Sequence, residues 1–525
     1  MKNILFAILT ICLLYACYDD KSTLAEYDFP TIVSNRTGEE QYLIASLGEE
    51  FIYEPRLCKM QGKDSIALTE SEFDDYSYTW SLSLLSTGSD TARHTISNER
   101  ILKTFIESAP TNDGYSYYTL MLQVTHKASN SKKNLIWKLK ILTTYGSGLL
   151  VAETEDGMNS DISLIMSRTF NTNLKDYSED IIHRNLFSKH NNALIEGQVN
   201  SISYISSKKY NAITALAAGK SLIRMDPVTM KVMDQNLECF FYTPPVFNPQ
   251  LVLTSWSTSV LINNGQLQYY DPAKGIKYSI YPETTYDLST VYALELNWAN
   301  VIFWDKKSEK FVYNPTYTAN ILNMENIVSE KFNPAEMQGC ECLYAETTTK
   351  YERTKWLMKK DGRYYVYVLD CVNDKNGTTF KGVNVYDLEN CPDLEKSSCY
   401  AFSNNDEFFY NVNNIIYAVP LVKEKPDPLI SYDKFASTEQ ITHMLIYRGN
   451  GYTTWSESID SETGEEKPTW RSSKNNVLCV ATWDGNEGRV YTLPVQYSGI
   501  GGIAPDKYVK CYDKFSRITG ITPRK

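Results

Sequence analysis

Leu222-Ile223-Arg224-Met225-Asp226-Pro227 joins an apolar strand to a turn centred on aspartate, and the chain repeats this pattern. The similar segments are Leu267-Gln268-Tyr269-Tyr270-Asp271-Pro272, Val301-Ile302-Phe303-Trp304-Asp305-Lys306 and Val383-Asn384-Val385-Tyr386-Asp387-Leu388. The last interval between aspartates is about twice the others, so we interpret it as two steps, with Asp361-Gly362 as a hairpin between them. The interval from Ile416–Pro420 to Val490–Pro494 is likewise interpreted as two steps. A period of about 35–45 residues with several strands is typical of a β-propeller.

The propeller pattern starts at residue 145 and leaves room for about seven blades before the C-terminus. A single blade cannot bury both faces, whereas a closed ring of blades buries them and protects the strand edges. The segment Ile518-Thr519-Gly520-Ile521 is predicted to pair with the first propeller strand and so close the ring. Two stacked sandwiches are the alternative arrangement for the same pattern.

Residues 29–144 show short alternating strands that predict a separate β-sandwich. Tyr78-Thr79-Trp80 and the later run Tyr118–Thr125 resemble the paired core strands of PKD-type immunoglobulin-like domains. That resemblance implies that Trp80 packs between two sheets. The fold class predicted for the whole chain is therefore all-β, with an immunoglobulin-like sandwich followed by a propeller.

The N-terminus contains the features of an export signal. Lys2 precedes the apolar run Ile4–Ala16, which is too short to span a bilayer, and Cys17 follows Ala16 directly. This arrangement resembles the lipobox of bacterial lipoproteins, although Tyr15 is bulkier than the residue normally found there. The resemblance implies a signal peptide at 1–16, lipidation of Cys17 and a tether at 17–28; an ordinary cleaved signal with an incidental cysteine is the alternative.

The acidic pair Asp19-Asp20 resembles the export tag that carries lipoproteins to the outer face of the outer membrane. A merely solvated tether is the alternative interpretation. The chain has 52 Lys and Arg against 63 Asp and Glu, and it has no basic stripe. Because phosphate neutralisation needs clustered cations, no nucleic-acid partner is expected.

The sequence offers few groups for catalysis. An insertion near 171–198 is predicted to contain a helix that Ser178 caps and that places His183 and His190 on one face, without a His-Glu-x-x-His motif. Cys340-Glu341-Cys342 lacks further ligands at zinc spacing, and Gly219-Lys220-Ser221 is interpreted as a hairpin turn. No catalytic residue, metal site or cofactor is therefore predicted, although paired carboxylates leave no spacing rule.

Taken together, the lipobox, the PKD-type segment and the propeller-like remainder resemble the PKD-like family of lipoproteins, which accompany SusC/SusD-like outer-membrane importers. The resemblance implies an outward-facing accessory lipoprotein that captures or presents a nutrient, with peptide or protein favoured over oligosaccharide. Trp256, Trp298 and Trp304 are candidate ligand contacts, with packing in the blade cores as the alternative. A surface hydrolase or lyase with its active site at the propeller centre is the alternative function.

Overall fold

A computed structural model of the protein describes residues 32–524. It leaves out 35–41, 48–49, 62–63, 85–93, 107–115, 175–179, 207–209, 256–257, 271–276, 280–284, 295–300, 316–317, 319, 349–352, 375–376, 460–463, 465 and 497–498. The predicted signal peptide at 1–16 and tether at 17–28 lie outside this range. The described chain is dominated by strands, which confirms the all-β prediction, and it divides after Thr144 into two compact units. None of its helices has the length and apolarity needed to cross a bilayer.

The N-terminal unit contains ten strands in its described part. They are β1 (Ile32–Ser34), β2 (Tyr42–Leu47), β3 (Glu50–Tyr53), β4 (Leu57–Gln61), β5 (Asp64–Ala67), β6 (Tyr76–Leu84), β7 (His94–Ser97), β8 (Leu102–Phe105), β9 (Ser116–His126) and β10 (Lys132–Thr143). The main sheet has the order β2-β10-β9-β6-β7, and two smaller sheets have the orders β1-β4-β5 and β3-β8. All pairs are antiparallel except β10 with β2.

One core joins these sheets, because alternate residues of the main sheet face inward. Trp80 is fully buried there, and its ring packs against Trp137 and Tyr53 with centroids 5.7 and 6.1 Å apart. Its indole Nε1 donates a hydrogen bond of 2.9 Å to the carbonyl of Glu99, so the buried polar atom is satisfied. The unit is therefore a layered β-sandwich.

The C-terminal unit begins with β11 (Gly148–Thr154), β12 (Asn159–Met166), β13 (Ile181–His183), the helix α1 (Leu186–Asn191) and β14 (Ile195–Glu196). The next two sheets contain β15 (Val199–Ser206), β16 (Asn211–Ala217), β17 (Ser221–Met225) and β18 (Val232–Gln235), then β19 (Pro249–Ser255), β20 (Thr258–Asn263) and β21 (Gln266–Tyr270). They are followed by β22 (Leu288–Leu294), β23 (Val301–Asp305), β24 (Lys310–Asn314) and β25 (Leu322–Asn323).

The fifth sheet is formed by β26 (Ile327–Ser329), β27 (Cys340–Thr348), β28 (Arg353–Lys360), β29 (Arg363–Asp374) and β30 (Gly377–Asp387). The sixth contains β31 (Tyr400–Phe402), β32 (Glu407–Val412), β33 (Ile415–Pro420) and β34 (Leu429–Tyr432). The chain ends with β35 (Gln440–Ile446), β36 (Tyr452–Ile459), β37 (Glu466–Ser472), β38 (Val477–Trp483), β39 (Gly488–Pro494), β40 (Lys510–Phe515) and β41 (Arg517–Arg524).

These strands form consecutive, mainly antiparallel sheets that are arranged in a ring. In the described residues an end strand of each sheet contacts an end strand of the next, in the cyclic order β41, β15, β19, β22, β27, β31, β35 and back to β41. We call these seven the inner strands. Their cyclic contact is the arrangement of a β-propeller and is incompatible with two stacked sandwiches.

The last strand closes the ring, as the sequence predicted. β41 pairs antiparallel with β11, with Leu150 opposite Thr522 and Ala152 opposite Gly520. The first sheet thus has the order β13-β12-β11-β41 and combines strands from both ends of the unit. This pairing removes two exposed edges at once.

The repeat interpretation was wrong in its spacing. Counted from the inner strand, Asp226 follows the third strand of its sheet, whereas Asp305 ends a second strand and Asp387 a fourth, so the aspartates are not equivalent. Asp226 accepts hydrogen bonds from the backbone N–H groups of Val228 and Thr229, and this local turn chemistry suits any tight connection. The interval from β33 to β39 covers a single step from one sheet to the next, because the hairpin of β36 and β37 is inserted between them.

The helix predicted in the insertion was also wrong in extent. Ile181 and Ile182 lie in β13, which pairs with β12 as the outer strand of the first sheet, and Asn185 has a left-handed φ of 54° that starts the short helix α1. The carboxylate of Asp161 accepts from the N–H of Phe187 at 3.0 Å, so a neighbouring strand caps the helix. Ser178 lies outside the described residues. Sheet pairing has thus replaced the first half of the predicted helix.

Gly219-Lys220-Ser221 forms the predicted hairpin turn. Gly219 has a φ of 70° between β16 and β17, a conformation that favours glycine, and Lys220 N–H donates to the carbonyl of Ala217 at 2.9 Å.

Candidate functional site

A cavity of about 560 Å³ lies within the propeller unit, where the inner strands end. Its walls come from six inner strands, with the residues Ile202–Tyr204 and Ser206, Val252–Ser255, Tyr292 and Leu294, Glu346, Leu445 and Ile446 with the following Arg448, and Ile521–Pro523. In each of these strands the lining residues lie between the middle of the strand and its C-terminal end. Aliphatic and hydroxyl side chains make up most of the wall.

Arg448 and Glu346 are the charged residues in the described lining, and they form an ion pair with each other. Glu346 Oε1 accepts from Nε of Arg448 at 3.2 Å and from Nη2 at 2.8 Å. Nη1 donates to the side-chain oxygens of Asn404 and Asn475 at 2.6 and 2.7 Å, and Nη2 also donates to the carbonyl of Phe402 at 2.9 Å. These contacts use the five N–H donors of the guanidinium.

The second oxygen of Glu346 is also engaged. It accepts from the N–H of Phe402 at 2.8 Å and from the hydroxyl of Tyr344 at 3.1 Å. Burial and the neighbouring carboxylate raise the pKa of Tyr344 well above its ordinary value, so this phenol remains a donor. The ion pair therefore connects three sheets of the ring and has no hydrogen-bonding capacity left for a ligand.

Tyr292 contributes a different kind of polar group to the cavity. Burial, with a contribution from Glu346, raises the pKa of Tyr292 to about 12, so its hydroxyl is protonated at neutral pH. Within the described part of the chain, no hydrogen bond joins this hydroxyl to another residue. The Tyr292 hydroxyl can therefore donate to or accept from a bound molecule.

Other hydroxyl groups of the wall form hydrogen bonds within the wall itself. The hydroxyls of Ser203 and Thr254 are hydrogen-bonded to each other, and Thr254 also contacts the carbonyl of Tyr204 at 3.1 Å. Thr522 donates to the carbonyl of Ile202 at 3.1 Å. These bonds connect neighbouring inner strands and shape the cavity.

A second set of ionisable groups lies behind the ion pair. Lys355, which is opposite Glu346 in the β27–β28 pair, contacts Asp406 at 2.7 Å, and burial lowers its pKa. Glu407 is fully buried; its oxygens accept from the N–H of Gly501 at 3.2 Å and from the hydroxyl of Ser403. Burial raises the pKa of Glu407 from 4.5 to about 7. These groups support the cavity wall but do not line it.

The lining carboxylate of Glu346 has no free acceptor site among the described residues. General acid–base chemistry needs a group that can exchange a proton with the substrate, and the lining carboxylate is saturated by donors. No group of three metal-ligating side chains occurs among the described residues. The lining offers shape, aliphatic contacts and the Tyr292 hydroxyl.

The structure describes only one of the residues predicted to have a functional role. Trp304 lies in β23 with 3% of its surface exposed, and its ring packs against Phe311 at 5.3 Å. It is therefore a core residue, not a ligand contact, because its ring is enclosed by its own sheet and the next. Cys17, Asp19, Asp20, Trp256 and Trp298 lie outside the described residues.

The two histidines of the insertion contact the same tyrosine but do not share a helix. His183 lies in β13 and His190 in α1, and both rings meet the ring of Tyr145 edge-on, at 5.1 and 5.6 Å. The Tyr145 hydroxyl lies 2.8 Å from His190 Nε2. Cys340 and Cys342 are free thiols whose pKa values are raised by burial, as expected of packed cysteines.

Sequence reasoning missed Tyr292, Glu346 and Arg448. They belong to three sheets and lie far apart in the chain, so no local motif could connect them. The available signal was positional, because each lies near or just beyond the end of an inner strand. It could be used only once the inner strands were known.

Comparisons with known proteins give distant likenesses. No protein-family model and no curated protein matches the chain. A quinonprotein alcohol dehydrogenase-like protein from Bacteroides thetaiotaomicron is 10% identical, with 94% of this chain and 98% of that chain covered and a TM-score of 0.39. An auxiliary nutrient binding protein from Bacteroides ovatus is 10% identical, with 91% and 89% covered and a TM-score of 0.28. A dihydro-heme d1 dehydrogenase is 7% identical, with 77% and 72% covered and a TM-score of 0.37.

Proposed function

We propose that this protein is a non-catalytic accessory subunit of a SusC/SusD-like importer, which captures or presents a nutrient at the cell surface. The N-terminal sequence supports an outer-membrane lipoprotein anchored through Cys17, with Asp19-Asp20 directing it to the outer face. The proposed substrate is a peptide or protein in preference to an oligosaccharide. A tether holds the binding unit close to the importer and raises its effective concentration there.

The observation that carries the proposal is the saturated ion pair in the cavity wall. Glu346 accepts four hydrogen bonds and Arg448 donates five, so the two side chains are held in place and neither charge is available to a ligand. A concave pocket of this size with a largely aliphatic and hydroxyl lining is typical of a binding site. Among the described lining residues Glu346 carries the single carboxylate, whereas a glycosidase uses a pair.

We further propose that the architecture is a PKD-type domain followed by a seven-bladed propeller. Support comes from the fully buried Trp80 in the N-terminal sandwich and from the cyclic contacts of the inner strands. In this proposal the sandwich follows the tether in the sequence, and the propeller carries the ligand site.

Copurification from the outer membrane tests the importer partnership. The full-length chain is tagged at its C-terminus, extracted in mild detergent and captured, and a SusC/SusD-like pair is expected in the eluate by mass spectrometry. A Cys17→Ser chain expressed at the same level serves as the control, because it keeps the folded units and loses the proposed anchor. Recovery of the wild-type chain without an importer would overturn the partnership.

A turnover assay tests the non-catalytic part of the proposal. The purified full chain is incubated with pools of peptides and of oligosaccharides, and the products are followed by mass spectrometry. We expect no new products above a boiled control. Cleavage that saturates with substrate and disappears on boiling would instead support the hydrolase or lyase.

A further inference from the structure

One turn of the sixth sheet contacts both the ion pair of the cavity wall and a buried carboxyl group. It covers residues 402–407, where β31 ends and β32 begins. We infer that this turn is a pH-sensitive switch: it holds Glu346 and Arg448 in the cavity wall while Glu407 is protonated, and it opens when Glu407 loses its proton. Because this regulation acts on the proposed ligand site, it rests on the proposed function.

The first half of the turn contacts both members of the ion pair. The N–H of Phe402 donates to Glu346 at 2.8 Å, and the carbonyl of Phe402 accepts from Nη2 of Arg448 at 2.9 Å. The side-chain oxygen of Asn404 accepts from Nη1 of Arg448 at 2.6 Å. Three hydrogen bonds of the ion pair therefore depend on the conformation of this turn.

The second half of the turn contacts two buried ionisable groups. Oδ1 of Asp406 lies 2.7 Å from Nζ of Lys355, whose side chain is 2% exposed. Glu407 is fully buried, and its carboxyl group accepts from the hydroxyl of Ser403 and from the N–H of Gly501. The N–H of Ser403 also donates to the carbonyl of Glu407 at 2.9 Å. Glu407 therefore links the start of the turn to its end.

Charged groups reach Glu407 from two elements of the described chain. Lys355 of β28 and Asp406 of the turn interact electrostatically with its carboxyl group, and Arg448 interacts with Lys355. The loop at 495–504 donates a backbone N–H to Glu407 and has no charged side chain among its described residues. β33, which pairs with β32, is uncharged as well. The charge balance around Glu407 is therefore set by this small cluster.

The cluster is balanced only while Glu407 is protonated, because Lys355 and Arg448 are then matched by Asp406 and Glu346. Burial raises the pKa of Glu407 to about 7, and release of its proton leaves a buried negative charge without a cation of its own. Lys355 is then shared between two carboxylates, and Asp406, which is 31% exposed, can take water in its place. Opening of the turn lets water hydrate Glu407 and so removes the cost of the buried charge.

Opening of the turn changes the groups that the cavity wall presents. Nη1 and Nη2 of Arg448 each lose one acceptor, and Glu346 loses the N–H of Phe402. These groups can then form hydrogen bonds with a ligand. The wall thus offers no charged group at acidic pH and gains such groups as pH rises.

Hydrogen exchange of the detergent-solubilised full chain, followed by mass spectrometry, tests the switch without a ligand. Exchange is measured at half-unit steps from pH 5 to 8.5, and division by the intrinsic rate at each pH gives the opening equilibrium of each peptide. The N–H groups of Phe402, Ser403, Asn405 and Glu407 are all hydrogen-bonded, so the peptide that covers 402–407 reports on the turn. We expect its opening to rise about tenfold per pH unit up to about pH 6.5 and to level off above about pH 7.5.

Urea separates opening of the turn from unfolding of the whole propeller unit. A low concentration of about 1 M should leave the opening of the turn unchanged, because a local opening exposes little surface, and should increase the opening of β16. An equal response to urea in the turn and in β16 would overturn the inference, since the turn would then open only with the whole unit.

Glu407→Gln removes the ionisable group with little change of shape. Its turn should open nearly as the wild-type turn does at pH 5, where Glu407 is protonated, and should show no rise at higher pH. Glu341→Gln is the matched control, because Glu341 lies at an exposed position of β27, and it should keep the wild-type response. A wild-type opening that is independent of pH, or a rise that persists in Glu407→Gln, would overturn the inference. Neither result involves the importer, whose copurification tests the proposed function separately.

Discussion

Replacement of Glu407 by glutamine should change how the stability of the protein depends on pH. Glu407 is fully buried, and burial raises its pKa from 4.5 to about 7 in the folded chain. Between these two values the unfolded chain releases the proton while the folded chain retains it. The free energy of unfolding therefore falls as pH rises through this window, by about 1.4 kcal/mol per pH unit from this group.

The window sets the size of the effect. A difference of roughly 2.5 pH units corresponds to about 3 kcal/mol, which is lost between pH 4.5 and 7 and is not regained at higher pH. Glutamine cannot ionise, and it can keep an acceptor for the N–H of Gly501 and a donor for the hydroxyl of Ser403. The free energy of unfolding of the Glu407→Gln chain should therefore increase relative to that of the wild type as pH rises. This difference should level off above pH 7.5.

Urea unfolding of both chains, followed by tryptophan fluorescence at half-unit steps from pH 4.5 to 8.5, measures this difference. Ionisable groups that do not interact with Glu407 are common to both chains and cancel in the comparison, whereas Lys355 and Asp406 interact with it. Glu341→Gln provides the control, because Glu341 lies at an exposed position of β27 and its replacement also removes one carboxylate. A Glu407→Gln difference that is constant with pH, or that shrinks as pH rises, would refute the reasoning.

Three further changes test other parts of the structure. Arg448→Ala should lower the free energy of unfolding by roughly 3 kcal/mol, because it leaves the partly buried carboxylate of Glu346 without its cation. Adding Glu346→Gln should recover part of this loss. Strictly additive losses in urea unfolding would contradict this expectation. Trp80→Ala should lower the free energy of unfolding by about 3–5 kcal/mol and make the N-terminal unit the first part of the chain cleaved in limited proteolysis. Unchanged protection of that unit from the protease would exclude Trp80 as a core anchor. Cys17→Ser should abolish acylation, seen as loss of the lipid mass, and release the chain from the membrane fraction, whereas a membrane-bound variant would exclude Cys17 as the anchor.

The parts of the fold that local chemistry dictates could be predicted from the sequence. Asp361 and Gly362 both have left-handed φ values, 50° and 78°, and form the two-residue hairpin that their sequence indicates. The closing strand was also predictable, because a closed ring leaves no sheet edge open and the end of the chain can complete the first sheet. The spacing of equivalent strands could not be predicted. Aspartate stabilises turns at several positions of a blade, and an inserted hairpin lengthens the last blade.

The candidate site could not be predicted because its contacts are not local. Arg448 and Glu346 are 102 residues apart, and the bonds between them depend on how three sheets meet. The helix expected in the insertion failed for a related reason: Ile181 and Ile182 suit a helix face as well as an outer strand, and pairing with β12 decides between them. Whether Trp304 contacts a ligand or packs in the core could not be predicted either, because its burial depends on the neighbouring sheet.

The pairing of β11 with β41 has a consequence for how the protein is made. β11 leaves the ribosome long before its partner, because the two strands lie at opposite ends of the propeller unit, so the first sheet stays incomplete throughout synthesis. During that time the edge of β11 is open to strands of other chains. The ring can close only after Arg517–Arg524 has been synthesised, so the order of synthesis makes closure the last step in forming the first sheet.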